Sequence, residues 1–490
     1  SASARLIFQL GEQLISDEIV ALTELVKNAY DADATRVDVI INSTEETPYG
    51  IGKIVIDDNG NGMLPSIIKN SFLRISTNFK KVNRISPYYK RLMLGDKGVG
   101  RLSLQKLGWY VRVITTPRID RLKEYLTKDD ISVLEKYNSF EITIDWSDFT
   151  IEKDFNEIIS KVRAFKSLEP KYGTIIEVYN IRNRNSWKLT KREENRLRNE
   201  IFSMLNPFSK NINKFSVIIK IDNKEFTNDQ IDEDVINLMS DIKVGISFRD
   251  WILTLCLERK PRYYIREKSR LIKEMDKVNF TLIEEHEPHK DLLKKEYILN
   301  FNNLSEVKYD FPYLKDLSFD VVDGKMAYPG DFEGTLYASD FSEENKYEFQ
   351  SLIDANQFPS NVKTYKNLKS IWKAANGFYL FRKDFRILPY GSKEWLGFTR
   401  KSQTFKAIIY KEHTISGYIN LDGITSENLV EQTNRQGIVE DEYGKNFLKI
   451  LQEVIVEILA REDAAFRTGF TIDHKKSEIE EFLYSKNKFL

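Results

Sequence analysis

Apolar residues at helical spacing mark the first element of the chain. Around ELVKNAYDADAT, residues 24–35, Leu22, Val26 and Ala29 recur on one side and predict an amphipathic helix. A second stripe on that helix runs Glu24, Asn28, Asp31, at i, i+4 and i+7. Its only nearby base is Lys27, which stands beside the stripe and not in it. A solvated face usually mixes charge signs, so this one asks for an explanation. Strict alternation follows at Val37, Val39 and Ile41 and predicts a strand. KIVIDDNGNGM gives another strand that ends in a turn of Asp, Asn and Gly. A helical stretch at 64–74 leads into NFKKVNRISPYYKRLML, polar and basic, which reads as a loop. GDKGVGRLSLQKLG is a glycine-rich loop running into a helix, and WYVRVIT, FEITIDW and GTIIEVYN read as three strands. This half is therefore expected to be a mixed α+β sandwich with helices on one side of a sheet.

The pattern changes at 188–205, a charge-rich helical stretch, after which FSVIIKID opens a second half of alternating strands and helices. FYLFRKDFRILPYG, 378–391, reads as a hairpin. A last long helix is expected at 441–461, followed by the charged run HKKSEIEEFLYSKNKFL. The division between halves is placed near 180–188. There is no internal repeat.

Composition narrows the class without naming it. The 490 residues are 41% hydrophobic and 30% charged, an ordinary globular balance. Lys plus Arg is 74 and Asp plus Glu is 74, so no global charge favours nucleic acid, though a local basic patch remains open. The single cysteine, Cys256, lies in the apolar run WILTLCLE and is expected to be a small buried hydrophobe, which suits a reducing, cytoplasmic setting. No apolar run is long enough to span a bilayer. The chain opens SASARLIFQLG without a Met and is expected to be trimmed from a longer protein.

Three polar elements resist explanation by folding alone. In Gly95-Asp96-Lys97-Gly98-Val99-Gly100, glycines open the backbone to a ligand. Where such a loop starts a helix, its N–H groups converge on an anion. GK[ST] is missing, so it is no Walker loop, and the spacing G-x-x-G-x-G is not a dinucleotide fingerprint. The plain alternative is a tight turn with a helix cap. In Asp58-Asn59-Gly60-Asn61-Gly62, a carboxylate at a strand end is placed to accept from an amine such as that of adenine, with glycines clearing room for a flat ring. Its plain alternative is an Asx turn. On the Glu24/Asn28/Asp31 face, an amide oxygen suits Mg2+ and a Glu one turn away suits a general base. The alternative there is a solvated acidic face.

Together and in this order the three resemble the N box, G1 box and G2 box of the GHKL ATPase superfamily, the group of gyrase B subunits, ninety-kilodalton heat-shock chaperones, MutL proteins, MORC proteins and sensor histidine kinases. Gly173-Thr174 in KYGTIIEVYN resembles that family's last nucleotide-site motif. The resemblance covers about the first 180 residues, and the chain is most similar in character to chaperone-like or MORC-like bacterial ATPases. It implies a GHKL-type two-layer sandwich at 1–184, with a lid at 78–97, then a transducer-like βαβ domain at 185–462 and a charged tail at 463–490. It implies ATP and Mg2+ as ligands. Glu24 would be the general base, Asn28 the Mg2+ ligand, with Asp31 supporting from the same face. Asp58 would bind the adenine amine, Gly60 and Gly62 would shape the pocket, and Met63 would line its floor. Gly98, Val99 and Gly100 would present N–H groups to phosphate, with Lys97 as a nearby charge, and Thr174 would close the adenine end. QTNRQGIVEDE, 432–442, resembles the loop by which the second domain senses the terminal phosphate, with Arg435 as the sensor.

The same resemblance implies a slow ATPase acting as a homodimeric clamp, on DNA or in bacterial defence. The alternatives are a protein-remodelling chaperone and a signalling module that recruits an effector. The basic segments at 80–91 and 258–273 mix Arg, Lys and Tyr, which suits phosphate contact and base stacking, against the plainer reading of solvated loops. Residues 1–23 ahead of Glu24 contain no His, so the kinase branch, which needs a phosphoacceptor His before the ATP site, is not the expected one.

Overall fold

The computed structural model describes residues 15 and 17–72, 85–91 and 93, 100–148, 161–187, isolated positions between 190 and 215, and 216–227 except 223. In the second half it describes 232–276 and 293–468, apart from 343–344, 361, 383–384, 388, 392–393, 406–407 and 432–436. The chain divides into two compact units, 1–230 and 231–490.

In the first unit, α1 (Glu18–Asp31) starts where the Asp17 carboxylate accepts from the N–H groups of Ile19 and Val20. The expected stripe, Leu22, Val26 and Ala29, is buried, and Ile19 is buried with it. Strands β1 (Arg36–Thr47) and β2 (Gly50–Asp58) follow as an antiparallel pair. Next come α2 (Gly100–Leu107), β3 (Gly108–Thr116), α3 (Lys128–Leu134), β4 (Ser139–Asp145), β5 (Lys161–Phe165), β6 (Gly173–Ile181), β7 (Ser216–Ile221) and β8 (Lys224–Thr227). One eight-stranded sheet has the order β5-β4-β3-β6-β2-β1-β7-β8. Alternation puts Val37, Val39, Ile41, Ile54, Ile56, Val111, Val113 and Val178 on its buried face. Helices α1 and α2 pack against each other. The other face carries a ladder of ion pairs: Lys53–Glu177 at 2.9 Å, Arg112–Glu177 at 3.1 Å, Arg112–Glu141 at 2.6 Å and Arg163–Glu141 at 3.1 Å. Apolar inside and paired charge outside give the two-layer sandwich expected from the pattern.

Two expectations are corrected. The first unit does not close at 184. FSVIIKID becomes β7, which pairs parallel to β1 from Arg36↔Ser216 to Ile41↔Ile221, and β8 follows as the sheet edge. Parallel partners need a long crossover, so nothing nearby in sequence announces the pairing. Residues 463–468 do not belong to a tail either, because Asp463 is fully buried inside a helix that continues to Thr468; the rest of the expected tail, 469–490, lies outside the described residues.

In the second unit, α4 (Glu233–Met239), β9 (Ile242–Arg249), β10 (Ile252–Arg259), α5 (Pro261–Asp276) and β11 (Lys294–Asn300) precede β12 (Phe332–Ala338), α6 (Lys346–Asp354), α7 (Tyr365–Ala375), β13 (Gly377–Arg382), β14 (Phe385–Arg386) and β15 (Ile415–Leu421). These strands form a seven-stranded sheet, β11-β10-β9-β12-β15-β13-β14, and β13 and β14 are the expected hairpin. The last helix runs through α8 (Glu442–Lys449), a π-helical turn at Ile450–Ile455 and α9 (Val456–Thr468). Cys256 is exposed, contrary to expectation. Leu253, Leu255 and Leu257 take the buried side of β10, so period two sends Cys256 outward, where its thiol lies 3.4 Å from a carboxylate oxygen of Glu296. Among the described residues no helix is long and apolar enough to cross a membrane.

Candidate nucleotide-binding site

The ends of three neighbouring strands build the site. Asp58, the last residue of β2, is in register with Thr174 on β6, and Thr174 is in register with Thr115 on β3. The Asp58 carboxyl is buried, and its Oδ1 accepts from the N–H of Gly60 at 2.8 Å and of Thr174 at 3.3 Å. Burial raises its pKa to about 7, against the opposing pull of those two N–H groups; the Asp57 charge raises it further and Lys171 lowers it. Lys171 pairs with Asp57, the adjacent carboxylate on the outer face. Thr115 Oγ1 accepts from the N–H of Met63 at 2.9 Å and lies 3.2 Å from Thr174 Oγ1. A buried acid at a strand end, with hydroxyls at its side, is thus available to a ligand amine.

The glycines have steric reasons. A Cβ on Gly60 would stand 2.6 Å from the Ala32 carbonyl oxygen and 2.8 Å from Asp58 Oδ1. Gly62 has φ +65°, and a Cβ there would stand 2.4 Å from the Thr116 carbonyl oxygen. Asn61 between them is buried, and its N–H donates to the Ala32 carbonyl at 2.7 Å, which ties the turn to the end of α1.

Helix α1 presents Glu24 and Asn28 half-buried, with the Lys27 ammonium 3.9 Å from the Glu24 carboxylate. Asp31 is buried, so the stripe is not a solvated face at its C-terminal end. Gly100 opens α2, the helix packed on α1. Lys97, Gly98, Val99 and Arg435 lie outside the described residues, as does most of the expected lid at 78–97. The flanks of the Arg435 segment are described: Glu431 pairs with Ile438, and the buried Arg382 guanidinium holds Glu431 at 3.3 Å and donates to the Leu429 carbonyl.

Sequence reasoning missed two members of the site. Thr115 carries no motif and is recognisable only from strand register. Asp33 sits two residues past the stripe, fully buried, with four hydrogen-bond donors converging on its carboxylate. Its signal was present as the second acid of YDADAT, but helical spacing gives it no place on the stripe.

The residues present fit a magnesium nucleotide. Asp58 supplies the buried acceptor, and Asn28 supplies a hard amide oxygen on the neighbouring helix. Among the described residues no group of three or more His, Cys, Asp or Glu is arranged to hold a metal ion.

Comparison with known proteins agrees with this geometry. Residues 16–158 match the family described as histidine kinase-, DNA gyrase B- and HSP90-like ATPase. The chain is similar to the putative type II restriction enzyme HgiDII of Herpetosiphon aurantiacus, 36% identical over 104 residues, 21% of this chain and 16% of that protein. It is similar to the DNA mismatch repair protein PMS1 of Saccharomyces cerevisiae, 31% identical over 113 residues, 23% of this chain and 12% of that protein. It is also similar to the DNA mismatch repair protein MutL of Streptococcus thermophilus, 24% identical over 184 residues, 35% and 26% of the two chains. The match thus spans about a quarter or less of each relative's length. A crystal structure of the N-terminal domain of a DNA repair protein aligns over 94% of this chain and 99% of its own, at 12% identity and a TM-score of 0.43. Residues 16–158 of the first unit, which hold the buried strand-end acid and the amide-bearing helix, belong to the GHKL ATPase superfamily.

Proposed function

We propose that the chain binds ATP with Mg2+ and hydrolyses it slowly, as a conformational switch. The observation that carries this reading is the buried, elevated Asp58 carboxyl in register with Thr174, beside a helix bearing Glu24 and Asn28. Asp58 accepts the adenine amine, Thr174 closes that end, Gly60 and Gly62 shape the pocket, and Met63 lines its floor. Asn28 holds the ion, which when bound offsets phosphate charge, and Asp31 supports the same face. Glu24 orients and deprotonates the attacking water. Lys97, Gly98, Val99 and Gly100 meet the phosphates, and the segment around 78–97 covers them. The second unit is transducer-like, and Arg435 senses the terminal phosphate. ATP favours the closed state only by binding it better than the open one, and a contact that ADP cannot make supplies that difference.

The switch is proposed to work as a cytoplasmic homodimeric clamp on nucleic acid, with chaperone action or effector recruitment as the rival outputs. Two of the relatives are named as DNA mismatch repair proteins, which supports a DNA partner. The basic segment at 258–273 does not: Arg259 pairs with Glu462, and Arg262 and Arg266 pair with Asp241 and Glu348. A different surface favours it. Exposed Lys366, Lys369 and Lys373 stand at i, i+3 and i+7 on α7, and 359–376 contain no acid. Like charges at that spacing destabilise a helix unless something anionic offsets them.

Glu24→Ala tests the core reading: the variant should bind ATP and fail to turn it over, and unchanged turnover would remove the assigned base. Salt-dependent binding of an oligonucleotide separates the clamp on nucleic acid from its rivals, because released counterions give it a steep salt slope.

A further inference from the structure

Asp33 stands where α1 ends. Ala34 N–H donates to the Ala29 carbonyl and Asp33 N–H to the Tyr30 carbonyl, both at 3.0 Å, the pair of bonds that closes a helix through one left-handed residue. Asp33 is that residue, with φ +59°. Glycine fills this position without strain, whereas a side chain costs about 1 kcal/mol. The carboxylate here is also fully buried. Ending the helix requires neither feature.

The carboxylate joins parts that the chain keeps apart. Oδ2 accepts from Asn61 Nδ2 at 2.7 Å and from the N–H of Tyr88 at 2.9 Å. Oδ1 accepts from Ser86 Oγ at 2.5 Å and from the N–H of Tyr89 at 3.1 Å. Asn61 belongs to the glycine turn after Asp58. Ser86, Tyr88 and Tyr89 belong to a turn that Arg91 fixes beside α1, donating to the Ala34 carbonyl at 2.6 Å and stacking 4.3 Å from the Tyr30 ring centre. The bond from Asn61 Nδ2 also fixes that amide's orientation. Its Oδ1 is left buried with no protein partner among the described residues, an acceptor for a water or a ligand donor.

We propose that Asp33 is a positioning residue of the nucleotide site: its carboxylate locks the glycine turn to the turn at 86–89, so that nucleotide affinity depends on both links at once. This rests on the ATP-site reading above. Loss of either link leaves buried donors unpaired and loosens the other, so the two effects are coupled and not additive.

The test is calorimetric titration of the full chain with Mg2+ and a non-hydrolysable ATP analogue, for wild type, Ser86→Ala, Asn61→Ala and the double variant. Each single change should weaken binding about tenfold, the usual cost of a buried donor or acceptor left unsatisfied. The double variant should bind about as weakly as the weaker single one. Wild-type affinity in Ser86→Ala, or a double variant whose loss is the product of the two single losses, would overturn the proposal and leave the ATP site standing. No binding by wild type would overturn both. Asp33→Gly keeps the left-handed helix end and deletes the carboxylate, so it should also bind about tenfold more weakly, with tryptic cleavage at Lys90 and Arg91 no longer slowed by nucleotide. Retained affinity and protection in that variant would again count against Asp33. If Asp33→Gly does not fold, the Ser86 and Asn61 variants decide.

Discussion

Asp58 in the first unit differs from three buried acids of the second in what compensates its burial, and from Asp33 of its own unit, whose carboxylate has four donors. In the first, the Asp58 carboxyl has two backbone N–H partners, and desolvation pushes it up to about 7. In the second, Asp241 is fully buried between Arg262 and Arg266, at 3.3 and 2.6 Å. Glu267 is held below the usual carboxylate range, despite its burial, by Arg467 and Arg270. Asp463 accepts from the Tyr263 hydroxyl at 2.9 Å and the Ile409 N–H at 2.7 Å. Asp241 and Glu267 are met by cations of their own fold, and Asp463 by a hydroxyl and an N–H, although burial still raises its pKa; the strand-end acid of the first unit has backbone N–H partners alone, a shortfall that the proposed ligand amine would relieve. A buried charge with its partners supplied reads as architecture; one left short reads as a site.

The largest effect should fall on catalysis. Glu24→Ala is expected to lower turnover by at least about a hundredfold, the usual contribution of a general base, with nucleotide affinity held. Steady-state phosphate release alongside calorimetry checks both. The mirror-image change in the second unit is Arg266→Ala, which strips a buried carboxylate of one of its two guanidinium partners. Removing one member of a buried pair costs about 3–5 kcal/mol, so chemical denaturation should show a large loss. Nucleotide affinity should stay as it was. A variant that lost affinity without losing stability would erase the distinction drawn here.

The distinction was half visible in the sequence. The helix stripe, the strand-end Asp58, the glycine turn and Thr174 are all local patterns, and each is found at the end or face its spacing assigned. Register between distant strands is not local. Thr115 reaches the site because β3 lies beside β6, and β7 joins the first sheet because it runs parallel to β1 across a long crossover. No window of residues encodes either fact. Partner supply was equally hidden: RKPRYYIREKSR looks like a phosphate-binding run until Asp241, Glu348 and Glu462, from far along the chain, turn out to use its arginines.

Acidity gives a finer test of the same contrast. In the proposed site the adenine amine requires an acceptor, and the carboxylate form of Asp58 would supply it. Protons therefore compete with nucleotide below a pKa of about 7, and affinity should be about tenfold weaker at pH 6 than at pH 8, then level off above. Asp58→Asn should flatten that profile, and Asp58→Ala should abolish binding. The effect on folding has the opposite sense. A carboxyl raised above its unfolded value favours the folded state most at low pH, and that contribution is lost as pH rises from about 4 towards 7. Asp58→Asn should thus make the ligand-free protein more stable at pH 8 while weakening its site. Denaturation at pH 5 and pH 8 reads this directly, and a loss of stability at pH 8 would mean that Asp58 is structural.

The smallest effect should come from the outward row of β10. Leu255 is fully buried and Cys256 is exposed, one residue apart on opposite faces of the sheet. Leu255→Ala removes packed volume and should cost about 2–5 kcal/mol. Cys256→Ser changes one exposed atom and should stay within about 0.5 kcal/mol. Partial burial and the Glu296 carboxylate push the thiol's pKa up, so less thiolate forms at neutral pH and iodoacetamide should label Cys256 more slowly than a free cysteine. Glu296→Gln removes the neighbouring charge and should speed labelling without touching stability. Here again the acid is met by its own fold, and removing the carboxylate changes only the chemistry of its neighbour.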